Sequence, residues 1–242
     1  MKKLLLATKN FDPAEELHTY TQAFTREISG QLYRIHAYKK DAPLNTGAKP
    51  KIDKIRKGKP LQEIANVARE ESVDLIVMGR GTGPRWFSRN SLANKVLNKS
   101  LCPVMVVPPE VEFSGIKHIV YATNFSDRIG RIPPQVEGLA QRLNARISSV
   151  FIRQQGKDIP SSGAPVLEES RRSELNPGNI FFYTLRHKHV QQGLEWFMEQ
   201  YPTDLLVIAS LRKASVKQPR MTGLAQRIVR ETKVPLLAVL EG

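Results

Sequence analysis

The sequence predicts an α/β protein built from two similar domains, each a parallel sheet with helices on both faces. Three observations predict it. Apolar runs such as "KLLLAT" and "DLIVMG" alternate with helix-period segments, the pattern of buried parallel strands covered by helices. Four landmarks recur in the same order in both halves, the signature of an internal repeat. Between the halves lies "PPEVEFSG", Pro108–Gly115, which divides the chain into domains over residues 1–110 and 111–242.

The first strand is "KLLLAT", apolar and bounded by polar residues. Asp12 can cap a helix and Pro13 suits its first position, with Leu17, Tyr20 and Phe24 following at helical spacing. "QLYRIHAY" comes next. "DAPLNTGAKP", residues 41–50, must join two strands if "KIDKIRK" is a strand, and that is short for a parallel crossover. Either the crossover is lean or the lysine-rich segment lies at an edge, where lysines discourage pairing between sheets. Leu61, Ile64, Ala65 and Ala68 mark a second helix face, and Leu92, Val96 and Leu97 a third. The run "VMVV" after Pro103 predicts a last strand with Cys102 buried at its entry.

The second half repeats this order. "HIVYATNFSDRIG" answers to "LLLATKNFDPAEE", and "ARISSVFI" to "QLYRIHAY". "HVQQGLEWFMEQYPTDLLVIAS" answers to "PLQEIANVAREESVDLIVMG", and "GLAQRIVRETKVPLLAVLEG" to "SLANKVLNKSLCPVMVVPP". Leu224, Ile228 and Val229 repeat the third helix's spacing. Ala7-Thr8 and Ala122-Thr123 lie 115 positions apart, whereas Asp74 and Asp204 lie 130 apart. The second copy therefore carries extra loop, placed in the polar, Gly-, Pro- and Ser-bearing stretch after Ile152.

A chain of 242 residues suits one large or two small domains. Its single cysteine excludes an intrachain disulfide, which fits a reducing cytoplasm. No apolar run approaches the roughly 18–20 residues of a membrane span, and "MKKLLLATKNFD" is too short to be a signal peptide. Net charge is +14, with 19 basic against 11 acidic residues in 1–110 and 18 against 12 in 111–242. A field spread over both halves favours anionic partners: nucleotides, nucleic acid or acidic lipid surfaces.

The order "ATNFSD", "DLLVIAS", a helix, then "VPLLAVL" resembles the universal stress protein family, as do "GKPLQEIANVAREESVDLIVMG" and "LANKVLNKSLCPVMVV". The whole chain resembles the tandem form. The resemblance implies an open five-stranded, Rossmann-like parallel sheet per domain. It also implies ATP or AMP as ligand in some members and none in others, and a homodimer or protein partner. The nucleotide-binding members carry G-x2-G-x9-G-S/T after the fourth strand. Glycines let backbone N–H groups close on phosphate, and the next helix presents its amino end to the anion. The first half offers Gly79, Gly81 and Gly83, then Asn90-Ser91, with Arg80 at the second glycine's place or Gly81 there after a one-residue gap. Lys9, or Asn10 with a shift, stands where the family has a strand-end aspartate. The resemblance thus makes Thr8, Lys9, Met78, Gly79, Gly81, Gly83, Asn90 and Ser91 the candidate nucleotide-binding residues. In the second half Ala209-Ser210 replaces the first glycine, and Arg212, Lys213, Lys217 and Arg220 crowd a loop without the cradle.

Other chemistry is weaker. The glycines do not follow the first strand, so they are no dinucleotide fingerprint, and no G-K-S/T is present. His187 and His189 could share one side of a strand, but lack the neighbours that complete a metal site and read as a solvated or partner-facing pair. No nucleophile, base and orienting group form a triad, so catalysis is not expected beyond slow ATP hydrolysis in a ligand-bound half. Two readings stay open: a cytoplasmic nucleotide-responsive stress protein, or a nucleotide-free scaffold whose basic surface meets a protein or nucleic acid.

Overall fold

The computed structural model describes residues 1–8, 15–38, 54–80, 92–109, 111–123, 132–154, 166–172, 179–211 and 223–241. They fall into two compact units, Met1–Gly115 with Ser210–Gly242, and Ile116–Ala209. The first unit runs β1 (Lys3–Thr8), α1 (Glu15–Glu27), β2 (Gln31–Tyr38), β3 (Lys54–Lys57), α2 (Pro60–Glu70), β4 (Leu75–Gly79), α3 (Leu92–Lys99) and β5 (Val104–Val107). The second contains β6 (His118–Thr123), α4 (Pro134–Leu143), β7 (Arg146–Arg153), β8 (Val166–Arg172), β9 (Ile180–Arg186), α5 (Val190–Gln200) and β10 (Leu205–Leu211). The chain then returns to the first unit with α6 (Gly223–Glu231) and β11 (Leu236–Glu241).

In the first unit the strand order is β3-β2-β1-β4-β5-β11, parallel throughout except that β11 runs antiparallel to β5. The second unit has the order β10-β6-β7-β9-β8, parallel except for β8 against β9. The α/β class holds, and two antiparallel pairings correct the purely parallel expectation. The stretch read as extra loop contains β8, with a register shift between Leu167 and Glu169. Its sequence "VLEESRR" has no alternation of apolar and polar residues, and at an edge a strand needs none. The described part of the lysine-rich segment, Lys54–Lys57, is the edge strand β3 beside β2.

Chain direction sets the helix layers. The path from β1 to β2 runs one way along the sheet and that from β3 to β4 runs back. Right-handed crossovers then put α1 on one face and α2 with α3 on the other. α1 packs on β1, β2 and β4, while α2 packs on β2, β3 and α3. Leu17, Tyr20 and Phe24 are buried as their spacing predicts; Asp12 and Pro13 lie outside the described residues. On α2 the buried pair is Ile64 and Val67, and Ala65 is exposed, correcting the predicted face. A methyl group exerts little pull on helix orientation beside the larger valine. The linker also takes part in packing: the Phe113 ring meets Tyr20 at 5.3 Å and Phe24 at 6.0 Å, both edge-on.

The two aspartates of the repeat do the same job. Asp74 accepts from the N–H groups of Lys2 (2.6 Å) and Lys3 (3.0 Å), and its own N–H donates to the Lys3 carbonyl (2.8 Å). Asp204 accepts from Lys117 and His118, each at 2.8 Å, and donates to the His118 carbonyl at 3.0 Å. Each carboxylate thereby fixes where the first strand of its copy starts against its neighbour. Close by, the copies diverge. In the first, Lys54 pairs with the Glu71 carboxylate and Lys3 Nζ donates to the Glu71 carbonyl at 2.9 Å. In the second, His118 donates from Nδ1 to the Pro202 carbonyl and accepts at Nε2 from Ser148 Oγ (2.7 Å), while Tyr201 stacks on Phe197 at 4.4 Å.

Among the described residues, three helices end with a non-glycine residue in the left-handed region: Ser29, Ser72 and Asn144, with φ of 52°, 52° and 48°. The N–H after each reaches back to the last turn, as in Gly30 to Thr25 O (2.8 Å), Val73 to Ala68 O (2.8 Å) and Ala145 to Ala140 O (2.9 Å). Asparagine tolerates this region; serine does so less well. Ser72→Gly should therefore stabilise the protein by about 0.5–1 kcal/mol, read as a higher denaturation midpoint. An unchanged or lower midpoint would contradict it.

Candidate functional site

In an open parallel sheet the ligand crevice lies beyond the carboxyl ends of the strands, where the chain direction reverses. In the first unit that point lies between β1 and β4. Leu4 pairs with Leu75 and Leu6 with Val77, so the register, continued two residues, sets Thr8 level with Gly79. Two of the candidate nucleotide-binding residues therefore face each other across the switch point. Met78 pairs with Val106 and its side chain is buried, so only its main chain could serve a ligand. Lys9, Gly81, Gly83, Asn90 and Ser91 lie outside the described residues.

The Thr8 hydroxyl is already engaged. It donates to the Ile35 carbonyl at 3.3 Å and lies 3.5 Å from His36 Nδ1. His36 is fully buried, and burial pushes its imidazole below the usual histidine range. Gly79 is constrained from the α1 side: a Cβ there would meet Leu17 Cδ2 at 3.1 Å. The glycine thus lets α1 close over β4, whatever else it does. In the second copy Ile208 pairs with Ala122, so Thr123 is level with Ala209. The threonine is kept and the glycine is replaced by a residue with a methyl group.

Arg80 follows Gly79, and the sequence alone gave no hint of its task. Its N–H donates to the Val107 carbonyl at 2.7 Å. Its guanidinium Nη1 donates to the carbonyls of Arg230 (3.0 Å) and Thr232 (2.5 Å), at the carboxyl end of α6. A cation there satisfies carbonyls that the helix leaves open and opposes the negative end of its dipole.

Neither histidine lies on a strand, and of the two only His189 is exposed. His187 is buried and follows β9; its Nδ1 accepts from the His189 N–H at 3.0 Å, where His189 caps α5. Among the described residues no group of three or more His, Cys, Asp or Glu could hold a metal ion. Cys102 is half-buried rather than buried, with Ser100 Oγ 3.4 Å from its sulfur, and burial pushes its thiol up. Ser100 Oγ bridges the N–H (3.2 Å) and carbonyl (2.8 Å) of Cys102, as Thr232 Oγ1 bridges those of Val234, both at 3.2 Å. The cysteine thus stands where the other copy has valine, a structural position. No described helix is long and apolar enough to cross a membrane.

The sequence profile of the universal stress protein family matches residues 4–108. Residues 4–108 belong to the universal stress protein family. Beyond this universal stress protein domain, the likeness extends over the chain at the level of fold. A universal stress protein from Archaeoglobus fulgidus superposes with a TM-score of 0.69 at 14% identity, covering 99% of this chain and 98% of its own. A protein of unknown function from Pseudomonas aeruginosa gives 0.63 at 12% identity, covering 99% and 92%. Identities this low carry the fold alone. No curated protein matches the sequence significantly. The length of 242 residues is consistent with the tandem form of universal stress proteins.

Proposed function

We propose that the chain is a tandem universal stress protein whose first half binds ATP or AMP, and that it signals through partner contacts rather than catalysis. The observation that carries this reading is the register of β1 against β4, which ends at Leu6 and Val77 and, continued two residues, sets Thr8 level with Gly79 at the switch point, with Gly81 and Gly83 two and four residues further on in the sequence. A phosphate at such a point is held by backbone N–H groups, which need close approach. Gly81→Val should therefore weaken nucleotide binding at least tenfold, measured by titration calorimetry with ATP and AMP on both proteins. No heat and no thermal shift at millimolar nucleotide would reject the reading.

A second reading has its own support. The methyl group of Ala209 and the engagement of Arg80 with α6 favour a nucleotide-free scaffold with a basic surface. On that reading, binding of an anionic protein or nucleic acid falls steeply with salt, and nucleotide changes nothing. A cytoplasmic location and a homodimer are part of the proposal in either form.

A further inference from the structure

Each copy closes the same joint with a side chain from its first strand. Lys3 opens β1 and His118 opens β6. Lys3 Nζ donates to the Glu71 carbonyl at 2.9 Å, just after α2, and His118 Nδ1 donates to the Pro202 carbonyl, just after α5. The residues around them correspond through the sheet register. Tyr33 pairs with Leu5 as Ser148 pairs with Val120, and Lys54 pairs with Ile35 as Tyr183 pairs with Val150. Glu71 and Tyr201 each precede the repeat's aspartate, Asp74 or Asp204, by three positions. The chemistry differs. The first joint holds the Lys54–Glu71 ion pair, whereas the second is built from His118, Ser148, Tyr183 and Tyr201.

A carbonyl can only accept, so the His118 proton sits on Nδ1. The neutral ring then has a bare Nε2, and the buried Ser148 hydroxyl donates to it at 2.7 Å. An imidazolium has no acceptor for that hydroxyl. Among the described residues, the charges that act on the ring are Arg146 of β7, which opposes a second positive charge, and Asp204 of the turn, which favours one. Asp204 is already engaged by the N–H groups of Lys117 and His118. Tyr183 and Tyr201 are the other titratable groups of the joint.

We infer that the turn between α5 and β10 is held to β6 by neutral His118 and released when that imidazole takes up a proton, so the second unit carries a proton-operated latch where the first uses a lysine. Histidine is the side chain whose charge ordinarily changes between pH 5 and 8; lysine is not. Burial, the largest cause, holds the His118 imidazole below the usual histidine range. A group depressed in this way stabilises the fold fully above its unfolded value, about 6.5, and loses that contribution as pH falls through the folded value. Leaving the joint returns the charged ring to water and frees the Pro202 carbonyl.

Nitrogen-15 NMR and amide hydrogen exchange on the full chain test it. At neutral pH the His118 ring should carry its proton on Nδ1. As pH falls below about 6.5, its protonation should be matched by an about tenfold loss of protection, relative to the free-peptide rate at the same pH, at the N–H groups of Tyr201 and Asp204. These donate to the Phe197 and His118 carbonyls. The N–H of Gly193, at the other end of α5, and that of Asp74, the matching position in the first copy, should keep their protection. His36 is also buried and depressed, so overall stability in mild acid is no substitute for this local reading. His118→Asn offers the Pro202 carbonyl an amide N–H that does not titrate, and should abolish the pH step while keeping part of the protection. Ser148→Ala removes the donor to Nε2 and should move the His118 titration to higher pH. A neutral ring protonated on Nε2, or a protonated His118 with Tyr201 and Asp204 still protected, would overturn the latch. So would a step that persists in His118→Asn, or a ring that stays neutral until the whole unit unfolds.

Discussion

Phe197→Ala should destabilise the second unit by about 3–5 kcal/mol, the usual cost of removing a fully buried aromatic ring. Phe197 has no exposed surface. It stacks on Tyr201 at 4.4 Å and meets Tyr183 of β9 at 5.0 Å, so it joins α5 to the sheet through two further rings. Those contacts add to the cost of the cavity, because Tyr183 and Tyr201 lose their shared partner. Trp196 is the adjacent residue and Trp86 is the only other tryptophan, so unfolding by urea in a Trp86→Phe background reports on α5. A midpoint shift worth less than about 1 kcal/mol would show that the site closes around the missing ring.

Asp74→Ala and Asp204→Ala should each cost about 1.5–3 kcal/mol, and by similar amounts. Each removes a charged acceptor from two main-chain N–H groups that start a strand. Burial alone would push the Asp74 carboxyl up, but the N–H groups of Lys2 and Lys3 and the nearby positive charges outweigh it and hold it below the ordinary range. A carboxyl depressed in the folded state stabilises above its unfolded value, about 3.9, and loses that contribution as pH falls through the folded value. The wild type should thus lose stability below about pH 4 more steeply than Asp74→Ala. Parallel acid limbs in the two proteins would contradict the role given to this carboxylate.

The repeat of those aspartates was legible in the sequence as a spacing, and their task was not. The reason is that their partners are main-chain N–H groups, which every residue but proline carries. Arg80 was hidden for the same reason: its acceptors are carbonyls 150 and 152 positions away. By contrast, β1, β4 and β5 could be read directly, because strands buried on both faces are continuous apolar runs. β8 could not, since a polar edge strand looks like loop. His187 was misread because i,i+2 spacing means one face only within a strand, and β9 ends at Arg186. At the candidate site, Thr8 and Gly79 could be named from the family's motif, but their being level across a strand pair follows only from the register.

The return of β11 to β5 has a consequence for synthesis. When the ribosome finishes Val107, the apolar β5 "VMVV" has β4 on one side and nothing on the other. Its second neighbour begins at Leu236. At about 5–20 residues per second, the intervening stretch of roughly 130 residues takes on the order of 7–26 seconds. For that interval the first unit presents an open, uncharged strand edge, the kind that pairs with other chains. Nascent chains truncated between residues 115 and 235 should therefore bind holdase chaperones and self-associate, while the full-length chain, its edge covered by β11, should do neither.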